Sequence, residues 1–217
     1  MNRSLLRNMI LARVMRAFFS LLYHQLAWTY DIVAALVSLG MWKAWVASVL
    51  PDLNGPTVLE LGHGPGYLQA MLAKRGIQVF GVDESPQMGK LAARRLRRQT
   101  SQQLLLRGYA QMLPFKSASF QQVVSTFPSE YILDPQTLSE TYRVLIPGGT
   151  FVVLPVAWIT GHNWMERSAA WLFRVTGQSE DWDASMLIPY SDAGFQTDLR
   201  RIIQKRWTLL VIVAKKN

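Results

Sequence analysis

Short apolar runs alternate with amphipathic stretches along the chain from residue 51 onward. The apolar runs predict five strands, at Thr57–Leu61, Ile77–Val82, Gln103–Leu106, Gln122–Ser125 and Thr150–Leu154. Helical stretches lie between them, at Gly66–Lys74, Pro86–Gln99 and Pro135–Leu145, and another follows at Trp164–Val175. Asp198–Gln204 and Arg206–Ala214 predict two strands that close an antiparallel edge. This alternation predicts an α/β fold, a doubly wound and mostly parallel seven-stranded sheet with helices on both faces.

The first 50 residues have a different pattern and predict an N-terminal helical extension, so the domain organisation expected is 1–50 and 51–217. From Ile10 onward, Arg13 and Arg16 lie on one helical face opposite Val14 and Phe18. Such a helix either lies on an anionic membrane surface or packs on its own domain. The two arginines interrupt any secretory apolar stretch, and the apolar run 32–42 is shorter than the ~20 residues that cross a bilayer. The sequence therefore predicts a cytoplasmic protein, with peripheral contact at the inner membrane surface as an open alternative.

Composition excludes several kinds of site. The chain has no cysteine and 3 histidines, so disulfide, zinc-ribbon, thiolate and iron–sulfur chemistry are excluded, and no metal site is predicted. The formal net charge of +9 favours an anionic partner, such as acidic lipid, or a basic solvated face. A second basic face is predicted on the helix from Pro86, formed by Lys90, Arg94, Arg97 and Arg98.

The most informative stretch is a glycine-rich turn between a strand and a helix. Gly62, Gly64 and Gly66 allow a tight turn and a close approach of backbone to a ligand, and Asp83 ends the next strand. A carboxylate at that position can accept hydrogen bonds from ribose hydroxyls. A dinucleotide fingerprint needs glycine where Tyr67 stands, and the lysine of a Walker phosphate loop is absent.

Five segments in order carry a resemblance to a known family: Glu60–Gly66, Val79–Ser85 with Met88 beyond it, Gly108–Phe115, Phe120–Ser125 and Glu140–Gly149. The sequence resembles the class I S-adenosylmethionine-dependent methyltransferases. The subgroup it is similar to includes the ubiquinone/menaquinone-biosynthesis and phospholipid N-methyltransferases. The resemblance implies a Rossmann-like sheet, S-adenosylmethionine as cofactor and S-adenosylhomocysteine as product.

The resemblance also implies roles for individual residues. Glu60, Gly62 and Gly64 would border the methionine part of the cofactor, and Asp83 would hold the ribose hydroxyls, with Glu84 in the same motif. The remaining cofactor-binding positions flank adenine (Met88, Ala110 and Gln111) or approach the methionine and the methyl group (Ser125 and Thr126). The sequence departs from the family pattern at Tyr109 and Gln121, where the family usually has aspartate.

The methyl acceptor is less closely defined by the sequence. Candidates for catalytic contact with it are Tyr30, Glu130, Tyr131 and His162, in segments that the fold would place over the strand ends. The apolar stretch 26–50 favours a lipophilic small molecule or a phospholipid headgroup, methylated on nitrogen or oxygen at the membrane surface. The basic charge leaves a nucleic-acid methyltransferase as an alternative, although the fourth strand ends without an Asn-Pro-Pro-Tyr motif. The two departures leave open a non-catalytic cofactor-binding relative.

Overall fold

The computed structural model describes residues 30–97, 104–161, 163, 164, 166 and 184–217, with the backbone alone at Tyr30, Ile32, Val37 and Ala184. The amphipathic helix predicted from Ile10, the end of the second basic face at Arg98, and most of the helix predicted at Trp164–Val175 lie outside the described residues. The division at residue 50 stays a prediction. Within the described ranges, no helix has the length and apolar character needed to span a bilayer.

Seven strands of the described residues form one sheet in the order β3-β2-β1-β4-β5-β7-β6. Their bounds are β1 Thr57–Leu61, β2 Gln78–Asp83, β3 Leu104–Arg107, β4 Phe120–Thr126, β5 Leu145–Ile159, β6 Phe195–Ile203 and β7 Trp207–Lys216. The first five strands run parallel, and β7 is antiparallel to both of its neighbours. The predicted doubly wound, mostly parallel sheet is confirmed. Strand order reverses between β1 and β4, and a ligand crevice is expected at the carboxyl ends beside that point.

Helices connect the strands and cover the sheet. Their bounds are α1 Tyr30–Val37, α2 Trp42–Ala47, α3 Tyr67–Lys74, α4 Pro86–Leu96, α5 Pro135–Val144 and α6 Ile188–Asp192. Helix α4 begins as predicted, because the Ser85 side chain accepts a hydrogen bond from the Met88 N–H and Pro86 follows at the first position. Asp134 caps α5 in the same way through the Gln136 N–H.

Apolar side chains of alternate strand residues fill two cores, one on each face of the sheet. On β1, Leu59 and Leu61 belong to the core under α5 and α6, whereas Val58 belongs to the core under α2 and α3. A parallel sheet buried on both faces requires this near-continuous apolar character. The polar residue Glu60 therefore interrupts a strand whose other central residues are apolar and buried.

Strand β5 differs from the prediction at both ends. The sequence predicts a helix through Leu145 and a strand from Thr150, whereas α5 ends at Val144 and the strand begins at Leu145. The early start arises because Leu145 pairs with Phe120, and the extra residues 146–149 of β5 then shift the register before Thr150 pairs with Gln122. At the other end, pairing with the long antiparallel β7 extends β5 to Ile159.

The outer edge of the sheet is formed by β6. Its exposed positions are mainly polar or charged and include Asp198, Arg200 and Arg201. Arg200 forms an ion pair with Asp52, at the start of the loop that leads into β1. The edge strand is therefore charged and tied to the body of the domain.

Candidate cofactor site

The turn after β1 is open at one glycine and filled at another. Gly62 and Gly64 have φ angles of 66° and 52°, a conformation that strains any residue with a Cβ atom. A Cβ at Gly64 would meet nothing within 4 Å, whereas a Cβ at Gly62 would lie 2.5 Å from the Tyr131 hydroxyl. The turn thus offers space for a ligand beside Gly64 and a polar hydroxyl beside Gly62.

Asp83 ends β2 directly beside this turn. Its Oδ2 accepts a hydrogen bond of 2.8 Å from the Gly64 N–H, and its Oδ1 accepts one of 2.8 Å from the Ser85 N–H. Each carboxylate oxygen has further lone pairs, and the side chain is only half-buried. The carboxylate is therefore held rigidly and remains able to accept hydrogen bonds from a vicinal diol.

A buried polar cluster lies beneath the turn. Glu60 stands opposite Gly81 in the β1–β2 register, and the side chains of His63 and Gln69 also converge on Gly81. A Cβ at Gly81 would lie 2.8 Å from His63 Cδ2 and 3.0 Å from Gln69 Nε2, so the glycine makes room for both. Although His63 lies in the turn, only 4% of its surface is exposed, and its Nδ1 lies 2.7 Å from the Gly64 carbonyl oxygen.

Burial shifts the protonation equilibria of this cluster. Desolvation raises the pKa of Glu60 to about 8, against hydrogen bonds from Gln69 that lower it, and the charge of Asp83 adds to the rise. Desolvation lowers the pKa of His63, which favours its neutral form. The Oε2 atom of Glu60 has no hydrogen-bond partner among the described residues. An open turn with a rigidly held carboxylate beside it suits the ribose of a nucleoside cofactor.

Replacing Glu60 by glutamine should flatten the pH dependence of stability. The unfolded Glu60 loses its proton near pH 4.5 and the folded one near pH 8, so the folded state binds more protons between these values. Stability therefore falls as pH rises through that window. Thermal melts at pH 5, 6, 7 and 8 should show a falling Tm in the wild type and a smaller fall in Glu60→Gln. Equal slopes in the two proteins would contradict the assignment.

The residues predicted to flank adenine do not all face one space. Ala110 is buried in the core under α5, and Gln111 donates a hydrogen bond of 3.0 Å to the Asp134 carboxylate. Met88 is fully buried in a small apolar cluster with Ala34, so its side chain supports α1. Glu84 is exposed and holds Arg107 through its backbone carbonyl. Adenine contact by these residues stays a prediction.

The end of β4 brings Ser125 and Tyr131 together. The Ser125 hydroxyl donates to the Leu61 carbonyl oxygen at 2.8 Å. The Tyr131 hydroxyl lies 3.0 Å from the Ser125 hydroxyl and donates to the same Leu61 oxygen at 3.2 Å. Thr126 is half-buried at the end of the strand. Tyr131 is thus the predicted catalytic candidate that the structure places at the strand ends. His162 and the side chain of Tyr30 lie outside the described residues.

The two departures from the family pattern lie in different places. Gln121 is at the amino end of β4, where its side chain accepts a hydrogen bond from the Thr57 hydroxyl, far along the sheet from the turn. Tyr109 is 59% exposed and lines an open groove of about 780 Å³ with Gln111 and the first turn of α5. The Gln121 departure therefore does not touch the candidate site, whereas Tyr109 lies next to its predicted adenine segment.

An aromatic cluster follows β4. Phe127 has a φ angle of 51°, rare for an aromatic residue, and its N–H donates to the Leu154 carbonyl oxygen at 2.7 Å. Its ring packs 4.5 Å from the Trp42 ring and 6.2 Å from the Trp45 ring. Strained backbone of this kind is concentrated at functional sites. Phe127 directly follows Thr126, and all three rings pack on the core under α2 and α3, where Trp42 and Phe127 stay partly exposed.

The sequence pattern gave no role to Arg95, although the structure gives it several partners. Its guanidinium donates to the Asp31 carboxylate at 2.8 Å and to the Pro65 carbonyl oxygen, and lies 3.9 Å above the Tyr67 ring. The sequence contains one indication of a separate role, because Arg95 does not lie on the helical face that Lys90 and Arg94 share.

No cluster of metal-ligating side chains is found within the part of the chain that the structure describes.

Residues 59–153 match the family model described as methyltransferase domain. This match covers less than half of the chain, and the sheet order and the turn beside Asp83 agree with the methyltransferase resemblance that the five motifs carry. The resemblance stated from the sequence is confirmed.

The chain is also similar to curated methyltransferases. The chain is 32% identical over 139 residues to a demethylmenaquinone methyltransferase of Thermus thermophilus, covering 61% of this chain and 63% of the relative. It is 33% identical over 143 residues to the demethylmenaquinone methyltransferase of Symbiobacterium thermophilum, covering 61% of this chain and 57% of that protein. The match thus spans about three fifths of the length of these relatives.

Solved structures confirm the fold. Phosphoethanolamine N-methyltransferase 2 of Haemonchus contortus, determined in complex with S-adenosyl-L-methionine, superposes with a TM-score of 0.61 and 18% identity. The superposition covers 82% of this chain and 53% of that chain. At this identity the likeness concerns the architecture of the sheet and its helices.

Proposed function

We propose that the protein is an S-adenosylmethionine-dependent methyltransferase that acts on a lipophilic, ring-containing small molecule. The observation that carries the cofactor part is Asp83, held by the Gly64 and Ser85 N–H groups at the open turn. The acceptor part is supported by the aromatic cluster after β4 and by relatives named for demethylmenaquinone.

The residues of the turn would bind and orient the cofactor. Asp83 would accept hydrogen bonds from the ribose, and Gly64 leaves the space that a nucleoside needs. When bound, S-adenosylmethionine supplies a methyl group attached to a positively charged sulfur. Tyr131 would present its hydroxyl oxygen to that positive charge, held in place by the buried Ser125 hydroxyl and the Leu61 carbonyl oxygen.

The chain's contribution to the reaction would be mainly to position the two reactants and to exclude water. Trp42 and Phe127 provide flat apolar surfaces beside Thr126, suited to stack with a ring. A hydroxylated ring that gains a methyl group also loses a proton, and the Tyr131 hydroxyl lies next to Ser125 at the end of β4. We propose contact with the acceptor for Tyr131, without assigning it as the base.

Methyl transfer can be tested with labelled S-adenosylmethionine and three acceptors. We expect label in the organic extract with a short-chain demethylmenaquinol kept reduced under anaerobic conditions, and none with phosphoethanolamine or RNA. Label only in phosphoethanolamine would overturn the acceptor class. Binding of S-adenosylhomocysteine with no transfer to any acceptor would favour the non-catalytic alternative.

Peripheral membrane contact is part of the same proposal. Lys90, Arg94 and Arg97 are exposed on α4, opposite the buried Ala92 and Leu96. Basic residues near an anionic surface each contribute about 1 kcal/mol of attraction. The same assay, with quinol embedded in neutral or anionic vesicles, should run faster on the anionic ones and lose that advantage at high salt. Equal rates on both kinds of vesicle would refute the proposed membrane contact but not the proposed acceptor class.

A further inference from the structure

Five elements meet around two stacked side chains, Arg95 of α4 and Tyr67. Asp31 comes from α1, Lys43 from α2, Pro65 from the glycine turn and Tyr67 from the start of α3. Tyr67 lies at the centre, with Arg95 3.9 Å and Lys43 5.7 Å from its ring centroid. Burial, together with the hydrogen bond and charge of Asp31, raises the pKa of Tyr67 to about 12, so its hydroxyl stays protonated.

This cluster connects the cofactor turn to the N-terminal helix. The Pro65 carbonyl that accepts from Arg95 is one residue from Gly64, whose N–H holds Asp83. The Asp31 carboxylate that accepts from Arg95 lies in the first turn of α1. A single guanidinium thus holds the turn with one nitrogen and α1 with another.

Among the side chains of α1 that the structure describes, the remaining contacts with the domain are small. Ala34 and Met88 form its buried contact, with Val33, Leu91, Trp42 and Tyr67 around them. Asp31 keeps 53% of its side chain exposed, so the ion pair alone contributes little. Arg95 stacks on the Tyr67 ring and donates hydrogen bonds to two acceptors at once. A lysine could not reproduce this geometry, because it lacks the planar guanidinium.

We propose that Arg95 is a positioning residue that couples docking of α1 to the conformation of the cofactor turn. This inference rests on the proposed function for the identity of the cofactor. Cofactor that orders the turn fixes the Pro65 carbonyl, and the fixed carbonyl favours the arginine conformation that also holds Asp31. Coupling is reciprocal, so loosening α1 must weaken cofactor binding by the same factor.

The test compares Arg95→Lys and Asp31→Asn with the matched control Arg94→Lys, a neighbouring exposed arginine on the same helix. Calorimetry should show S-adenosylhomocysteine binding weakened about tenfold in each of the first two variants, and unchanged in the control. The double variant should be no weaker than Arg95→Lys alone, since both changes break one connection. Hydrogen exchange of the α1 amides should slow on ligand binding in the wild type and not in Arg95→Lys.

Outcomes separate this inference from the proposed function. The coupling would be overturned if the wild type and both variants bound S-adenosylhomocysteine equally well, even if the Tm of the variants fell. Tight binding and normal coupling with no methyl transfer would overturn the activity and leave the role of Arg95 intact. Wild type that binds no S-adenosylhomocysteine would overturn both.

Discussion

Asp83→Ala should abolish measurable binding of S-adenosylmethionine and S-adenosylhomocysteine, an expected loss of at least about 100-fold in affinity. Hydrogen bonds to a charged group contribute about 1.5–3 kcal/mol each, and two ribose hydroxyls would lose theirs together. The substitution also leaves the N–H groups of Gly64 and Ser85 without their acceptor, so the turn loses its shape. Isothermal titration of the folded variant measures the effect.

Two further variants define what the carboxylate does. Asp83→Asn keeps the size of the side chain but turns one acceptor oxygen into a donor that faces a backbone N–H, so an intermediate loss is expected. Asp198→Ala removes an exposed carboxylate on β6 and should leave affinity unchanged. Binding by Asp83→Ala within a few-fold of the wild type would refute the assignment of the nucleoside site.

Gly62→Ala should be the second most damaging change, in both stability and cofactor affinity. The φ angle of 66° disfavours alanine, and the added carbon would lie 2.5 Å from the Tyr131 hydroxyl. Either Tyr131 or the turn must move, and both line the candidate site. Thermal melts and calorimetry with S-adenosylhomocysteine should show losses in both measurements.

Gly76 offers a matched control for the backbone strain. Its φ angle is 75° and an added carbon meets nothing within 4 Å, so Gly76→Ala should cost about 1–2 kcal/mol of stability and no affinity. Adding Tyr131→Phe to Gly62→Ala removes the clashing oxygen and leaves ring carbon Cζ at 3.5 Å, an ordinary contact. The double variant should therefore bind S-adenosylhomocysteine more tightly than Gly62→Ala alone. Equal damage from Gly62→Ala and Gly76→Ala would show that the contact with Tyr131 is unimportant.

Local chemistry explains what the sequence predicts well. The Ser85-Pro86 helix start, the left-handed Gly76 after α3 and the strand β1 depend on neighbouring residues, and each is found where the pattern puts it. The turn and Asp83 are also predictable, because the carboxyl ends of adjacent parallel strands meet at one edge.

Contacts between distant segments explain what the sequence could not predict. His63 is buried because Gly81, on the neighbouring strand, leaves room for its ring. Met88 also supports α1, because its side chain on α4 packs against Ala34 of that helix. The length of β5 depends on the antiparallel β7, more than 45 residues later in the chain. Patterns along one segment carry no information about these partners.

The charged outer strand β6 has a consequence for purification and crystallisation. An edge strand presents unpaired N–H and C=O groups that can recruit a strand from another molecule and start aggregation. Asp198, Arg200 and Arg201 place charge along that edge, and Arg200 is also held by Asp52. Neutral substitutions at these positions should make concentrated solutions of the folded protein prone to sheet-to-sheet self-association, with no change at the methyltransferase site itself.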